Sequence, residues 1–194
     1  MSIGIVACGA LATHISDIVT ENALDVVIYP LPPLLHNRPE KIAGEVDSLL
    51  KEIKDKHSKC AVAYADCGTY GALDTVIAEH AVKRLGGNHC YDIFAGSKKI
   101  EEIMESDAGT YFLTDFLVKS FHRSVIVELG LDKRPELRDD YFKNYSRVIW
   151  LAQQPTDELN ELAHQAAQEI GLPLEIENVG YGQLNEQVLE LLRN

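Results

Sequence analysis

Cys60-Ala61-Val62-Ala63-Tyr64-Ala65-Asp66-Cys67-Gly68-Thr69 is the stretch that decides the fold. Cys60 to Ala65 is an uncharged apolar run, the pattern of a short strand buried within a sheet. Asp66, Gly68 and Thr69 supply turn chemistry, and Tyr70 to Lys83 continues with helical spacing. A buried strand that turns tightly at a glycine into a helix is the repeating unit of parallel α/β proteins.

The same alternation extends outward in both directions. Upstream, Ile3 to Ala7 is a short buried strand and Ala10 to Glu21 a helix with apolar residues at 11, 15, 18 and 19. Asp25 to Leu31 is the second strand, ending in the Pro30, Pro32, Pro33 turn region. Pro39 through Lys56 is a helix carrying Ile42, Val46, Leu49, Leu50 and Ile53, with Pro39 in a first turn where proline is tolerated. Downstream, Arg84 to His89 reads as a fourth strand, Ile93 to Met104 as a helix and Gly109 to Thr114 as an extended segment. Asp115 to about Glu128 and Pro135 to Tyr145 are helical. Ser146 to Ala152 is a strand, Asp157 to Ile170 a helix ended by Gly171, Leu174 to Glu177 a last strand and Gln183 to Leu192 a last helix. The irregular stretch 109–145 is either a lid over a site or part of the sandwich.

Right-handed crossovers between such elements imply a mainly parallel sheet covered on both faces. The expected fold is therefore α/β, a doubly wound Rossmann-like or flavodoxin-like three-layer sandwich, in one domain spanning 1–194. With the strand order 2-1-3-4-5, ligands sit beyond the carboxyl ends of the strands, where the order reverses.

The chain has 194 residues, 18 Lys and Arg against 30 Asp and Glu, and a net charge of −12. A phosphate-backbone binder depends on clustered cations, so nucleic acid and anionic membrane surfaces are excluded as expected partners. Met1 to Ala12 is apolar but has no basic residue before it, and His14, Asp17 and Glu21 interrupt any longer apolar run. It reads as a strand and helix, not as a targeting or membrane segment, and the expected location is cytoplasmic. In that reducing compartment the cysteines at 8, 60, 67 and 90 are expected as thiols, metal ligands or redox groups. No GxGxxG, GxxxxGK[ST], HExxH or GxSxG motif occurs, which removes the main warrants for dinucleotide binding, P-loop hydrolysis, zincin proteolysis and a serine elbow.

Three cysteines fall at the carboxyl edge. Cys8 ends strand one, Cys67 follows strand three, and Cys90 follows the fourth strand. In the order 2-1-3-4-5 those strands are neighbours about 4.8 Å apart, so three thiols converge. Cys60 begins strand three, roughly 20 Å away along seven extended residues, and reads as a core residue. Gly9 and Gly68 permit tight turns whose following helices direct amides and dipoles at the thiols, favouring thiolate. The spacing lacks the close CxxC pairs of zinc fingers, so the site would be assembled from separate loops.

Around the thiols, His36 is a fourth ligand or general acid/base, and Arg38 grips a carboxylate or phosphate or else is solvated beside an Asn37 cap. His89, adjacent to Cys90, is a ligand or an outer partner of one. Asp66 orients a ligand or caps a helix. Asp115, Lys119 and His122 share a helix face, either lining a pocket or forming a solvated stripe. Gly9, Gly68, Thr69 and Thr110 are the candidate cofactor-binding positions. A Cys–His hydrolase using Cys67 or Cys90 with His36 is compatible with the same residues.

The succession Ala7-Cys8-Gly9-Ala10-Leu11, Leu35-His36-Asn37-Arg38-Pro39, Tyr64-Ala65-Asp66-Cys67-Gly68-Thr69, His89-Cys90-Tyr91, Gly109-Thr110-Tyr111-Phe112-Leu113-Thr114-Asp115-Phe116 and Leu129-Gly130-Leu131-Asp132 resembles the domain-of-unknown-function family 1638. The resemblance covers nearly the whole chain. It implies that Cys8, Cys67 and Cys90, but not Cys60, belong to the family motifs. Because such proteins are often encoded beside corrinoid-dependent methyltransferases, it also implies a role around one-carbon transfer, with a corrinoid protein or methyltransferase as partner.

The leading expectation is a three-thiolate metal site of Cys8, Cys67 and Cys90. It holds either an iron-sulfur cluster with an open iron or a zinc ion completed by His36, His89, water or substrate. It would serve a metal-assisted or methyl-transfer enzyme, with any corrinoid brought by a partner. Two other expectations stand beside it. One is a metal-free module that binds a small anionic or corrinoid-related ligand through Arg38, helix N-termini and Thr110. The other is a thiol redox pair.

Overall fold

Ile3–Cys8 (β1) pairs in parallel with Val26–Leu31 (β2) on one side and with Lys59–Ala63 (β3) on the other. The sheet order is β2-β1-β3. The central place goes to the most apolar strand, in which Ile5, Val6 and Ala7 are fully buried. Pro30 lies in β2, where the missing amide costs no ladder bond because β2 is an edge strand. This is a computed structural model, and it describes residues 2–193.

The chain divides into two compact units, Met1–Ile93 with Gln183–Asn194, and Phe94–Gly182. In the first, α1 (Ala12–Glu21) turns Ile15, Ile18 and Val19 inward and packs against the C-terminal helix Leu184–Leu192, which also covers β3. α2 (Ile42–Ile53) buries Ile42, Val46, Leu50 and Ile53, a stripe at helical spacing, and packs on β1, β3 and α3 (Ala72–Glu79). Each of those side chains contributes about 1.5–3 kcal/mol through burial.

The expected fourth strand, 84–89, is reduced to one residue. Arg84 forms a parallel bridge with Val62. The Val62 amide donates to Lys83 O at 2.9 Å, and the Leu85 amide donates to Val62 O at 3.1 Å. Gly86 and Gly87 come next, and the left-handed Gly87 (φ +87°) breaks the extended path. The neighbourhood nevertheless survives, because Asp66 and Cys67 donate their amides to Gly87 O and Asn88 O. α4 (Cys90–Ala95) begins directly after this segment.

The second unit holds Thr110–Thr114 (β4), Arg147–Ala152 (β5) and Leu174–Asn178 (β6), all parallel, in the order β4-β5-β6. α5 (Ser97–Ser106) is separated from α4 by left-handed Gly96, which breaks the single helix expected over 93–104. α6 (Asp115–Phe121) runs into a π-helical turn, His122–Val127. α7 (Arg138–Phe142) comes after a 3-10 turn at Pro135–Leu137. α8 (Asp157–Ile170) packs against α6. It is capped by Thr156, whose hydroxyl accepts from the Leu159 amide at 3.1 Å, and it ends at left-handed Gly171. The stretch 109–145 is core: Leu113, Val118, Phe121, Val125, Ile126, Leu131 and Phe142 cluster with Val148 and Trp150.

The α/β class, with parallel sheets flanked by helices, agrees with the sequence reading. The single sheet ordered 2-1-3-4-5 is replaced by two three-stranded sheets, of which 2-1-3 is as expected. Among the described residues no helix is long and apolar enough to cross a membrane.

Candidate functional site

The carboxyl edge of the first unit's sheet gathers Cys8, Cys67, Cys90, His36 and Tyr64. All four cysteines of the chain are free. Cys8, at the end of β1, is 1% exposed. Burial pushes its thiol up to about 11, against the smaller opposing pull of the nearby Ala10 and Leu11 amides and Tyr64 hydroxyl. Cys90 is pushed up as well, first by burial and then by the neighbouring Cys67 and Cys8 sulfurs.

His36 sits in a 3-10 turn, Pro33–Asn37, started by proline. Its Nδ1 lies 3.0 Å from the Pro33 carbonyl oxygen. A carbonyl only accepts, so Nδ1 carries a proton, and in the neutral ring Nε2 is the nitrogen with the lone pair. Nε2 is 3.8 Å from Cys8 Sγ. Burial opposes charge on the ring, but the adjacent Cys67 thiol and the Pro33 carbonyl outweigh it and hold the His36 pKa above its ordinary value. The ring also stacks on Tyr64, with centroids 6.0 Å apart and planes 20° from parallel. Tyr64 is wholly buried, and its hydroxyl makes no hydrogen bond to nitrogen or oxygen. Burial, then Cys8 and Cys67, raise its pKa strongly.

Loop geometry holds these groups in place. Cys67 occupies the left-handed region at φ +50°, followed by Gly68 at +83°. Such backbone in a non-glycine residue costs about 1–3 kcal/mol and persists only where its surroundings enforce it. Asp66 does the enforcing: Oδ1 accepts from the Thr69 hydroxyl at 2.7 Å and the Gly71 amide at 3.1 Å, and Oδ2 accepts from the Tyr70 amide at 3.1 Å. Partial burial would raise its carboxyl pKa, yet these donors, joined by Gly68, hold it below the ordinary range. Asp66 and Thr69 thus organise the turn that presents Cys67. Asp92, at 7% exposure, serves the Cys90 loop by accepting from the Asn88 and His89 amides at 2.8 and 3.1 Å. Gly9 is required by close approach, since a Cβ there would stand 2.4 Å from Leu31 O and 2.9 Å from Pro33 Cδ.

Arg38 is exposed between two 3-10 turns and forms no ion pair among the described residues. His89 is exposed and leans on Tyr91, with ring centroids 6.2 Å apart. Cys60 is buried at the start of β3, the opposite end from Cys67. Thr110 and Asp115 belong to the second unit. Thr110 opens β4 at its amino end, where its hydroxyl donates to Asp107 O at 2.8 Å and accepts from Arg147 Nε at 3.0 Å. Asp115 is 4% exposed and accepts from Trp150 Nε1, the Gln153 amide and the Gln154 amide at 2.9, 3.0 and 2.7 Å. The Asp115, Lys119, His122 stripe is split: Asp115 is buried, and His122 pairs with Glu169 at 3.6 Å on the surface.

Sequence reasoning missed Tyr64 and the Pro33 carbonyl as parts of this cluster. Tyr64 stood in a strand, and only the neighbouring loops reveal what its hydroxyl meets. Among the described residues no group of three or more His, Cys, Asp or Glu side chains is already arranged to hold a metal ion.

The family model described as "Protein of unknown function (DUF1638)" matches residues 30–188, a span that includes His36, Cys67 and Cys90 and begins after Cys8. No curated protein and no solved structure matches the chain.

Proposed function

From the premise that the chain belongs to the DUF1638 family, we propose that it is a metal-binding protein whose ligands are the thiolates of Cys8, Cys67 and Cys90 and Nε2 of His36. The carrying observation is the state of His36. Its Nδ1 proton is committed to the Pro33 carbonyl, as in histidines that bind a metal through the other nitrogen, and Cys8 Sγ lies 3.8 Å from Nε2 and 3.9 Å from Nδ1. Zinc bonds of about 2.3 Å to sulfur and about 2.0 Å to nitrogen, meeting at a tetrahedral angle, place the two atoms about 3.6 Å apart. The 3.8 Å between Cys8 Sγ and His36 Nε2 fits that spacing, while Cys67 and Cys90 must close in on the ion.

Buried thiols that resist ionisation alone become thiolates when a cation compensates the charge. A fourth nitrogen ligand favours mononuclear zinc over an iron-sulfur cluster, which would take the same three thiolates and leave one iron open. Bound zinc would supply Lewis acidity or hold a thiol or methyl acceptor. The wider role we propose is cytoplasmic, in corrinoid-linked one-carbon metabolism beside a methyltransferase, with the corrinoid carried by that partner. The motif resemblance and the four free cysteines support it.

The test is metal analysis and visible spectroscopy of protein purified without oxygen. One zinc per chain in a colourless protein is expected, with binding lost in Cys67→Ala and His36→Ala. A brown, iron- and sulfide-containing protein would move the assignment to the cluster. No retained metal, together with zinc and cobalt affinities unchanged by either substitution, would overturn the reading.

A further inference from the structure

Three polar side chains meet at the amino edge of the first sheet, the end away from the thiols. Ser2 Oγ stands 2.9 Å from His57 Nδ1, and the Tyr29 hydroxyl stands 2.8 Å from Nε2. Ser2 enters β1, Tyr29 lies in β2 and His57 precedes β3, so this chain of bonds crosses all three strands. It is held from several sides. The imidazole lies on Gly4, where a Cβ would stand 2.7 Å from His57 Cδ2, and the Tyr29 ring meets it edge-on with centroids 5.6 Å apart. The Ser58 amide and hydroxyl each donate to Ser2 O at 3.2 Å. Ser2, Tyr29 and His57 are half-buried, so each keeps some surface open to solvent.

A hydroxyl within hydrogen-bond reach of a base that a third group orients is the arrangement of an activated nucleophile. We propose that Ser2 is such a nucleophile, a second reactive centre about 20 Å along β1 from Cys8, and that it takes acyl groups from small esters. In the reacting tautomer Nδ1 is the acceptor and Nε2–H donates to the Tyr29 oxygen. Ser2 Oγ bonds to the ester carbonyl carbon, and its proton passes to His57 Nδ1. The ester C–O bond then breaks and that proton leaves with the alcohol. Water repeats the sequence on the acyl-serine and releases the acid. Tyr29 is a positioning residue that fixes the ring and its tautomer. The centre is independent of the metal-site reading above.

A fluorophosphonate probe tests this, because serine displaces its fluoride by the same attack, and mass mapping locates the product. General-base assistance is worth about 10²–10⁴-fold, so Ser2 of wild type should label at least about a hundredfold faster than the exposed Ser48 and Ser97 of the same chain. Labelling of Ser2 should fall to that background in His57→Ala and return in part with added imidazole, a recovery that a merely structural histidine would not give. Tyr29→Phe should slow labelling and move the Nε2 resonance of isotope-labelled histidine. Wild-type Ser2 that labels no faster than Ser48 and Ser97 overturns the proposal and leaves a clamp across the strand ends, and this comparison stands even if the variants fail to fold. Labelling undiminished in His57→Ala overturns it as well.

Discussion

The Cys67 amide donates to the Asn88 carbonyl at 2.7 Å, and with the Asp66 amide on Gly87 O it ties the turn after β3 to the segment leading into Cys90. Two thiols far apart in the chain are thereby set side by side without any side chain spanning them. The third, Cys8, is brought in by the pairing of β1 with β3. The site is thus a product of sheet topology, and substitutions that disturb the connecting backbone should act on it as strongly as substitutions of its ligands.

Gly9→Ala tests that dependence. The added methyl must displace Leu31 O or Pro33 Cδ, and with them the turn that carries His36. A loss of about 1–3 kcal/mol is expected from overpacking, read by chemical denaturation, with weaker zinc binding in the folded fraction. Unchanged affinity would show that the His36 turn adjusts freely.

His36→Ala and His89→Ala should separate cleanly. Removing His36 is expected to weaken zinc binding beyond the roughly hundredfold upper range for residues that only orient a ligand. Removing exposed His89 should leave stoichiometry and affinity as they were. Competitive titration with a chromophoric chelator measures both.

Asp66→Ala removes the acceptor for the Thr69 hydroxyl and the Tyr70 and Gly71 amides. A destabilisation of about 1–3 kcal/mol is expected. Cys67 should then alkylate faster in metal-free protein as its turn relaxes, which mass mapping of a timed iodoacetamide reaction would show.

Asp115→Ala should act on the second unit alone. It strands the Trp150 indole N–H and two amides, at a cost of about 3–5 kcal/mol. The chain has one tryptophan, so its fluorescence reports the change directly, while zinc affinity at the thiols should be preserved. Lost zinc binding would place Asp115 in the site after all.

Tyr111 gives a pH signature away from the thiols. Its ring packs edge-on against Phe121, Phe142 and Tyr145, and burial, then Tyr145, pushes its hydroxyl from 10.0 up to about 12. A raised folded value favours the protonated form. Its stabilising contribution is therefore complete below the unfolded value and is lost as pH rises through the folded one. Between pH 9 and pH 11, both chosen as test points, the loss should be roughly 1 kcal/mol. Tyr111→Phe should flatten that part of the denaturation profile.

Much of this architecture was legible because it depends on local pattern. The strand-helix alternation argues for β1 between β2 and β3, as found, and the length of β3 separates Cys60 from Cys67. Less legible were features that depend on contacts distant in the chain. The fourth strand failed at Gly87 and the helix expected over 93–104 failed at Gly96, where left-handed backbone outweighed the apolar pattern around it. Thr110 and Asp115 drew attention as polar residues in a motif, yet their partners Arg147 and Trp150 lie more than thirty residues onward. Tyr64 escaped notice for the opposite reason, since an aromatic in a strand is ordinarily core.

The first unit is discontinuous, closed by a helix from the last turns of the chain. Leu184, Val188 and Leu191 cover β3 and α1 only after the whole second unit has been translated. During synthesis the thiol-bearing sheet therefore waits with one face uncovered while about ninety further residues leave the ribosome, roughly 5–20 s at typical elongation rates. A nascent chain stalled before residue 184 should therefore leave its cysteines unprotected.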